Sequence, residues 1–222
     1  MRACVLIGSL VVSPALGDVY VDPTGDIATG NPNLDITQVE ITDDGVDLTV
    51  RLTVNDLNAD WGNYLFFIDA WEGVGSGDND NPWFRDIAGL SGMDLFVGTW
   101  LNGGGGVAAH QHYGDGGWGD SSFDVSLVSV NWGMGIIQWN FADLVSDLTA
   151  EGITSISFEA ATTGQNGGDP AIDLVGNEGI QPGWGQGSTS TDQLTYTFST
   201  AIPAPSALAL LGLASLRSRR RR

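Results

Sequence analysis

From residue 46 to residue 54 the chain alternates without a break. Val46, Leu48, Val50, Leu52 and Val54 point one way, and Asp47, Thr49, Arg51 and Thr53 point the other. A period of two is that of a β-strand with one dry and one wet face; a helix would scatter these residues around its circumference. Asp43-Asp44-Gly45 just upstream is a hairpin turn, because glycine accepts positive φ and aspartate bonds back to nearby backbone. The strand before it, residues 34–42, alternates best from Val39 to Ile41. Residues 64–70 are almost continuously apolar, as in a central strand buried on both faces. Further strands are expected at 93–101, 123–130, 134–141, 153–160 and 193–200. Only residues 141–151 space their apolar side chains helically, through Phe141, Leu144, Val145 and Leu148. About eight short strands between Gly, Asn and Asp turns predict an all-β fold, an antiparallel jelly-roll-like β-sandwich with one short helix. No internal repeat indicates a solenoid or propeller.

Both ends of the chain read as addresses. Arg2, an apolar core over residues 3–12 and the small residues of Ala15-Leu16-Gly17 make residues 1–17 a secretory signal peptide. At the other end stand Pro203-Ala204-Pro205, an apolar run over residues 207–216, and Arg217 with Arg219 to Arg222. The run is about half the roughly 20 residues that a spanning helix needs. The arginines would stay on the cytoplasmic side. Such a tail suits a temporary hold in the membrane while a protease cuts upstream. Its order resembles the PEP-CTERM sorting signal of Gram-negative bacteria, with Ala204 where that family has glutamate. The resemblance implies an exosortase-type sorting protease as partner, a transient membrane contact through a short hydrophobic helix, and delivery to the cell's outer surface or extracellular matrix. Residues 18–202 then form one domain and 203–222 the sorting tail. The single cysteine, Cys4, belongs to the signal peptide, so a hydrophobic core rather than disulfides must hold the domain.

Between these ends Arg51 and Arg85 face all 27 acidic residues, and the chain has no lysine. Such a surface repels phosphate backbones, which excludes nucleic acid as a partner, and it disfavours anionic lipid. Divalent cations and neutral polymers remain. Aspartate outnumbers glutamate, which suits turns and calcium loops better than helices.

Eight tryptophans exceed what one core of this size needs. Trp139 lies within a strand and is expected in the core; Trp100 ends a strand and Trp132 falls between two, and either could pack. Trp61, Trp71, Trp83, Trp118 and Trp184 lie among glycines, asparagines and aspartates. Each of these either stacks on a ligand such as a sugar ring or folds back as a lid on the core. Asn81-Pro82-Trp83 followed by the acid-bearing strand Met93-Asp94-Leu95-Phe96-Val97, and Gln181-Pro182-Gly183-Trp184 before the last strand, resemble family 9 carbohydrate-binding modules. The related DOMON-like sandwiches bind sugars or haem. By that resemblance Trp83 and Trp184 clamp a terminal sugar, Asp94 binds its hydroxyls, and Gln181 joins the ligand-binding set. The implied function is noncatalytic binding of a polysaccharide or glycan. The alternatives are a structural matrix protein with no small ligand, a polysaccharide hydrolase and a haem-binding domain.

Calcium is the expected metal, if any. Asp78-Asn79-Asp80-Asn81 gathers oxygen donors between glycines, and Asp169 and Asp173 flank a second such loop; each is either a hard-cation site or a solvated acidic turn. His110-Gln111-His112 offers two imidazoles on one face of an extended segment, a zinc or copper pair or a surface pair. The elbow of serine hydrolases, the His-Glu-x-x-His helix and a phosphate loop do not occur, so no enzymatic activity is expected.

Overall fold

The computed structural model describes residues 17–59, 61–102, 107–120, 123–177, 179–190 and 192–199. The expected signal peptide, apart from Gly17, and the sorting tail lie outside these residues. With strands numbered along the chain, one antiparallel sheet runs β1 (Gly17–Val21), β2 (Ile36–Asp43), β3 (Leu48–Val54), β10 (Ile136–Ala142) and β9 (Asp124–Asn131). The other runs β12 (Ala171–Leu174), β11 (Ser155–Thr163), β4 (Asn63–Asp69), β6 (Leu95–Trp100), β7 (Val107–Gly114) and β8 (Gly117–Asp120), with β14 (Leu194–Thr197) also paired to β11. A parallel pair, β5 (Ile87–Ala88) with β13 (Ser188–Thr189), stands apart. The all-β class with one short helix, α1 (Leu144–Ala150), is as expected. Among the described residues no helix is long and apolar enough to cross a membrane.

The alternation of β3 does what its period demands. Leu48, Val50, Leu52 and Val54 are buried, and the residues between them are half-buried. They join Tyr64, Phe66 and Ile68 of β4 and Ile137, Trp139 and Phe141 of β10 in one apolar cluster fed by both sheets. Phe66 is at its centre, with ring centroids of Phe158 at 5.3 Å, Phe141 at 6.2 Å and Trp139 at 6.4 Å. Each such side chain contributes about 1.5–3 kcal/mol by leaving water, which opposes the self-repulsion of so acidic a chain.

The continuous apolar run of β4 has the expected cause. Leu65 and Phe67 face away from the first cluster into a second, made with Ile87, Leu90, Met93, Phe96 and Leu174, on which Trp83 and Trp118 pack half-buried. Loops and the short β5–β13 pair, to which Ile87 belongs, cover this face.

Three elements differ from the sequence reading. Phe141 belongs to β10, which runs to Ala142, and the helix starts at Leu144 after Asp143 turns the chain with φ of 58°. The glycine-rich stretch contains the β7–β8 hairpin, an edge whose small and polar residues carry little hydrophobic signal. β1 precedes the turn at Asp22 and pairs along β2 from Gly17 to Val21.

Buried polar bonds cross between the sheets. The Trp139 indole N–H donates to Thr99 Oγ1 at 2.7 Å, and Tyr196 Oη donates to Asp43 Oδ2 at 2.6 Å. Trp139 and Thr99 are both fully buried. Thr99→Val keeps the shape and removes the acceptor, leaving a buried N–H unpaired. It is expected to cost about 1–3 kcal/mol, read as a lower urea midpoint at unchanged m-value. An unchanged midpoint would show that the bond contributes nothing net.

Candidate functional site

The loop before β5 holds an aromatic side chain in water. Asn81 Oδ1 accepts the Arg85 N–H at 2.9 Å and its Nδ2 donates to the Arg85 carbonyl at 2.8 Å. This clasp closes residues 81–85 into a tight turn, and inside it Phe84 has φ of 53° with its ring 81% exposed. A bulky residue in the left-handed region is strained. Its neighbour Trp83 lies across Gly98 of β6, where a Cβ would collide with the indole. Phe96 at 5.3 Å and Trp100 at 5.7 Å stand edge-on to Trp83. The Arg85 guanidinium sits 5.9 Å from the Trp83 ring centroid and donates to the Asn166 carbonyl. Burial draws its pKa downward, and the nearby Asp169 charge opposes that.

Trp83, Phe84 and Trp100 line an open groove of about 450 Å³. Asn63, Asn102 and Gln165 supply amides to its wall, and Gln165 Nε2 donates to Asn102 Oδ1 at 2.7 Å. Apolar rings set beside the Asn102–Gln165 amide pair match the two faces of a sugar, its C–H surface and its hydroxyls.

Trp184 lies against Gly164, next to Gln165 of the groove wall. It is 44% exposed, its ring neighbour is Trp61 at 6.3 Å, and it presses on Gly164. Asn63 of the groove wall donates to the Gly164 carbonyl, so one loop, residues 164–169, joins both indoles. Each indole has its own aromatic neighbours, so the geometry is two platforms flanking a loop.

Two other expected ligand residues have structural duties. Asp94 is 1% exposed, and its Oδ2 accepts the N–H groups of Ala70 and Trp71, both at 2.8 Å, which closes the turn after β4. It also stands four residues before Gly98, about 13 Å along the strand, so it cannot share a sugar with Trp83. Gln181 is 3% exposed and staples its own loop, accepting from Thr189 N and donating to the Gly179 carbonyl. The resemblance transferred residue types, but the strand's length and the loop's own bonding separate both residues from the groove.

The expected calcium residues disperse. Asp78 accepts the Gly89 N–H, and the Asp80 carbonyl accepts the Trp118 indole N–H at 3.2 Å. Asp169 accepts the Asn166 N–H at 2.9 Å. Only Asp173 falls within a group of three carboxylates among the described residues, and its partners are Asp22 and Asp26. The spacing of Asp169 and Asp173 suggested a local pair; the real partners are about 150 residues upstream. His110 and His112 lie on β7 opposite Val97 and Leu95, and His112 Nδ1 bonds the Asp120 carbonyl at 2.8 Å.

Four of the five loop tryptophans are lids at least in part. Trp71 packs on the first cluster and donates to Glu151 at 2.8 Å, Trp83 and Trp118 cover the second, and Trp61 covers a third made by Ile27, Leu34 and Ile172. The residue that sequence reasoning missed is Phe84. Its signal was present, an aromatic inside an Asn-Pro-Trp turn, but nothing in the sequence shows positive φ.

At the far end of β6 from the groove, Asp69 lies near Asp94. Burial first, and then the Asp94 charge, push the Asp69 carboxyl up to about 6. The unfolded chain loses this proton near pH 3.9, so between about pH 4 and 6 the folded state binds more protons and stability falls as pH rises. Asp69→Asn is expected to flatten the decline of Tm over that window; an equally steep decline would remove Asp69 as its source. No family model, no curated protein and no solved structure matches this chain.

Proposed function

We propose that the protein is an exported, noncatalytic carbohydrate-binding β-sandwich acting at the cell surface or in the extracellular matrix, with a neutral glycan as its ligand. The two sheets sharing one apolar cluster support the sandwich, and the terminal addresses support export. The observation that carries the binding function is Phe84: the chain holds this ring in water in a strained conformation beside a half-buried Trp83. Outliers of this kind persist where the surrounding bonds over-determine them, and they cluster at ligand sites.

Trp83 gives a rigid stacking edge, Phe84 the exposed second ring, and Asn102 and Gln165 the hydroxyl partners. Trp184, across the 164–169 loop, extends the platform along a polymer. The acidic surface turns away anionic polymers, since with 27 acidic residues the long-range field is repulsive to them.

Affinity electrophoresis in gels cast with soluble neutral polysaccharides tests this. The wild type is expected to be retarded by at least one polysaccharide. Phe84→Ala is expected to weaken that retardation about tenfold (roughly 1.4 kcal/mol) without lowering Tm, because the ring makes little core contact. Trp184→Ala is expected to weaken it less. Retardation unchanged in Phe84→Ala would overturn the groove as the site. Absence of retardation by every glycan would leave the structural matrix reading.

A further inference from the structure

The densest group of buried acids is not at the groove. Asp22 follows β1 directly, Asp26 closes the Pro23-Thr24-Gly25 turn, and Asp173 sits on β12. One carboxylate oxygen from each lies within 4.8 Å of the others. Two oxygens bound to one calcium ion at 2.3–2.6 Å can be no more than about 5 Å apart, so the three fit a single ion.

The surrounding acids are differently placed. Asp173 accepts from Ile36 N at 2.6 Å and Leu174 N at 3.0 Å, donors that favour the ionised form. Asp35 accepts from Gly25 N and from Asn55 Nδ2. Glu159 accepts from Ser190 Oγ, Gly176 N and Ala160 N. Asp22 has no such partner. It is 3% exposed, and among the described residues no N–H or hydroxyl donates to either of its carboxylate oxygens, whose polar neighbour is the Asp173 carboxylate; both oxygens of Asp26 are likewise buried without a donor.

A buried carboxylate left this way takes up either a proton or a cation. Burial first, then the Asp26 charge, raises the Asp22 pKa, and burial with the Asp22 charge raises that of Asp173. The chain offers no lysine. Arg51 is paired with Glu40 at 3.0 Å, and Arg85 is bonded to the Asn166 carbonyl beside Trp83. Among the described residues, then, no cationic side chain is left to neutralise this group.

We propose that Asp22, Asp26 and Asp173 together hold one calcium ion. Three carboxylates with no imidazole or thiolate favour a hard cation over zinc or copper. Magnesium demands near-ideal octahedral geometry and keeps several waters, whereas calcium tolerates the irregular spacing of a turn and a strand and accepts more protein oxygens. The bound ion would tie the turn after β1, in one sheet, to β12 in the other, and none of its three carboxylates lines the glycan groove.

Titration calorimetry on the full chain, freed of metal with a chelator and then of the chelator, tests this with calcium chloride alone and with magnesium chloride alone. One calcium per chain is expected, half-saturating at about 0.1–1 mM as in extracellular calcium modules, with a higher Tm when bound. Asp22→Asn and Asp26→Asn are each expected to weaken binding at least tenfold, while Asp78→Asn, on an exposed loop, leaves it unchanged. Folding of the key variant is checked independently. Calcium-free Asp22→Asn is expected to melt at or above the calcium-free wild type, because a buried unpaired charge is gone. Calcium affinity retained in both Asp22→Asn and Asp26→Asn would overturn the site. Equal saturation by magnesium would overturn the choice of ion. Neither heat nor a Tm rise at about 10 mM calcium would mean that a proton shared by Asp22 and Asp173 fills the place instead. None of these outcomes depends on glycan binding, so the two readings fail separately.

Discussion

The Asp173 carboxylate receives the Ile36 N–H across the gap between the sheets at 2.6 Å. Ile36 opens β2 next to an irregularity in its pairing with β3, and β1 pairs with β2 only as far as Gln38. Its N–H thus faces no strand, and burial without an acceptor would cost about 1–3 kcal/mol. One side chain from β12 supplies that acceptor. The same seam continues with Thr162 Oγ1 donating to the Leu34 carbonyl and Tyr64 Oη donating to the Asn33 carbonyl. The apolar cluster drives the sheets together without direction; these bonds decide how far along each other they sit.

That solution brings a negative charge to a place where other negative charges already stand. Asp22, Asp26, Asp35 and Glu159 all lie close enough to act electrostatically on the same corner. In most domains lysines or arginines would be interleaved. Here backbone N–H groups quiet Asp173, Asp35 and Glu159, and Asp22 and Asp26 are left over. The proposed cation would supply the positive charge that no described side chain brings to this corner, and by binding only the folded state it would stabilise the fold.

What was legible in the sequence follows from where its signals are local. Alternation in β3 and the apolar run of β4 report burial directly, so both strands and the all-β class could be read. β7 and β8 could not: a hairpin rich in glycine, histidine and alanine shows no contrast between its two faces in the sequence. β12, with four residues, is too short for a period. At the groove, Trp83 was visible because the tight Asn-Pro-Trp turn that positions it is itself local. Asp94 lies at the other end of β6 from Trp83, and sequence order hides which end of a strand meets a loop. Asp22 and Asp26 read as a turn, and nothing near them in the chain announces Asp173; that contact exists only once the two sheets face each other.

The loops over the outer face of β4 show why the groove is a fixed surface. Asn79 accepts the Ile87 N–H at 2.8 Å and Ser188 Oγ donates to the Asp86 carbonyl at 2.7 Å. The Gly168 N–H donates to the Phe84 carbonyl at 2.7 Å, so even the strained residue is held from two loops. Beneath them Leu65, Phe67 and Phe96 form an apolar floor that the loops cannot leave without exposing it. A surface held this way loses little conformational freedom on meeting a ligand. On the proposed reading, two rings and a pair of amides, which bury modest area, would bind a weakly interacting polymer whose repeated units multiply the contact across the 164–169 loop.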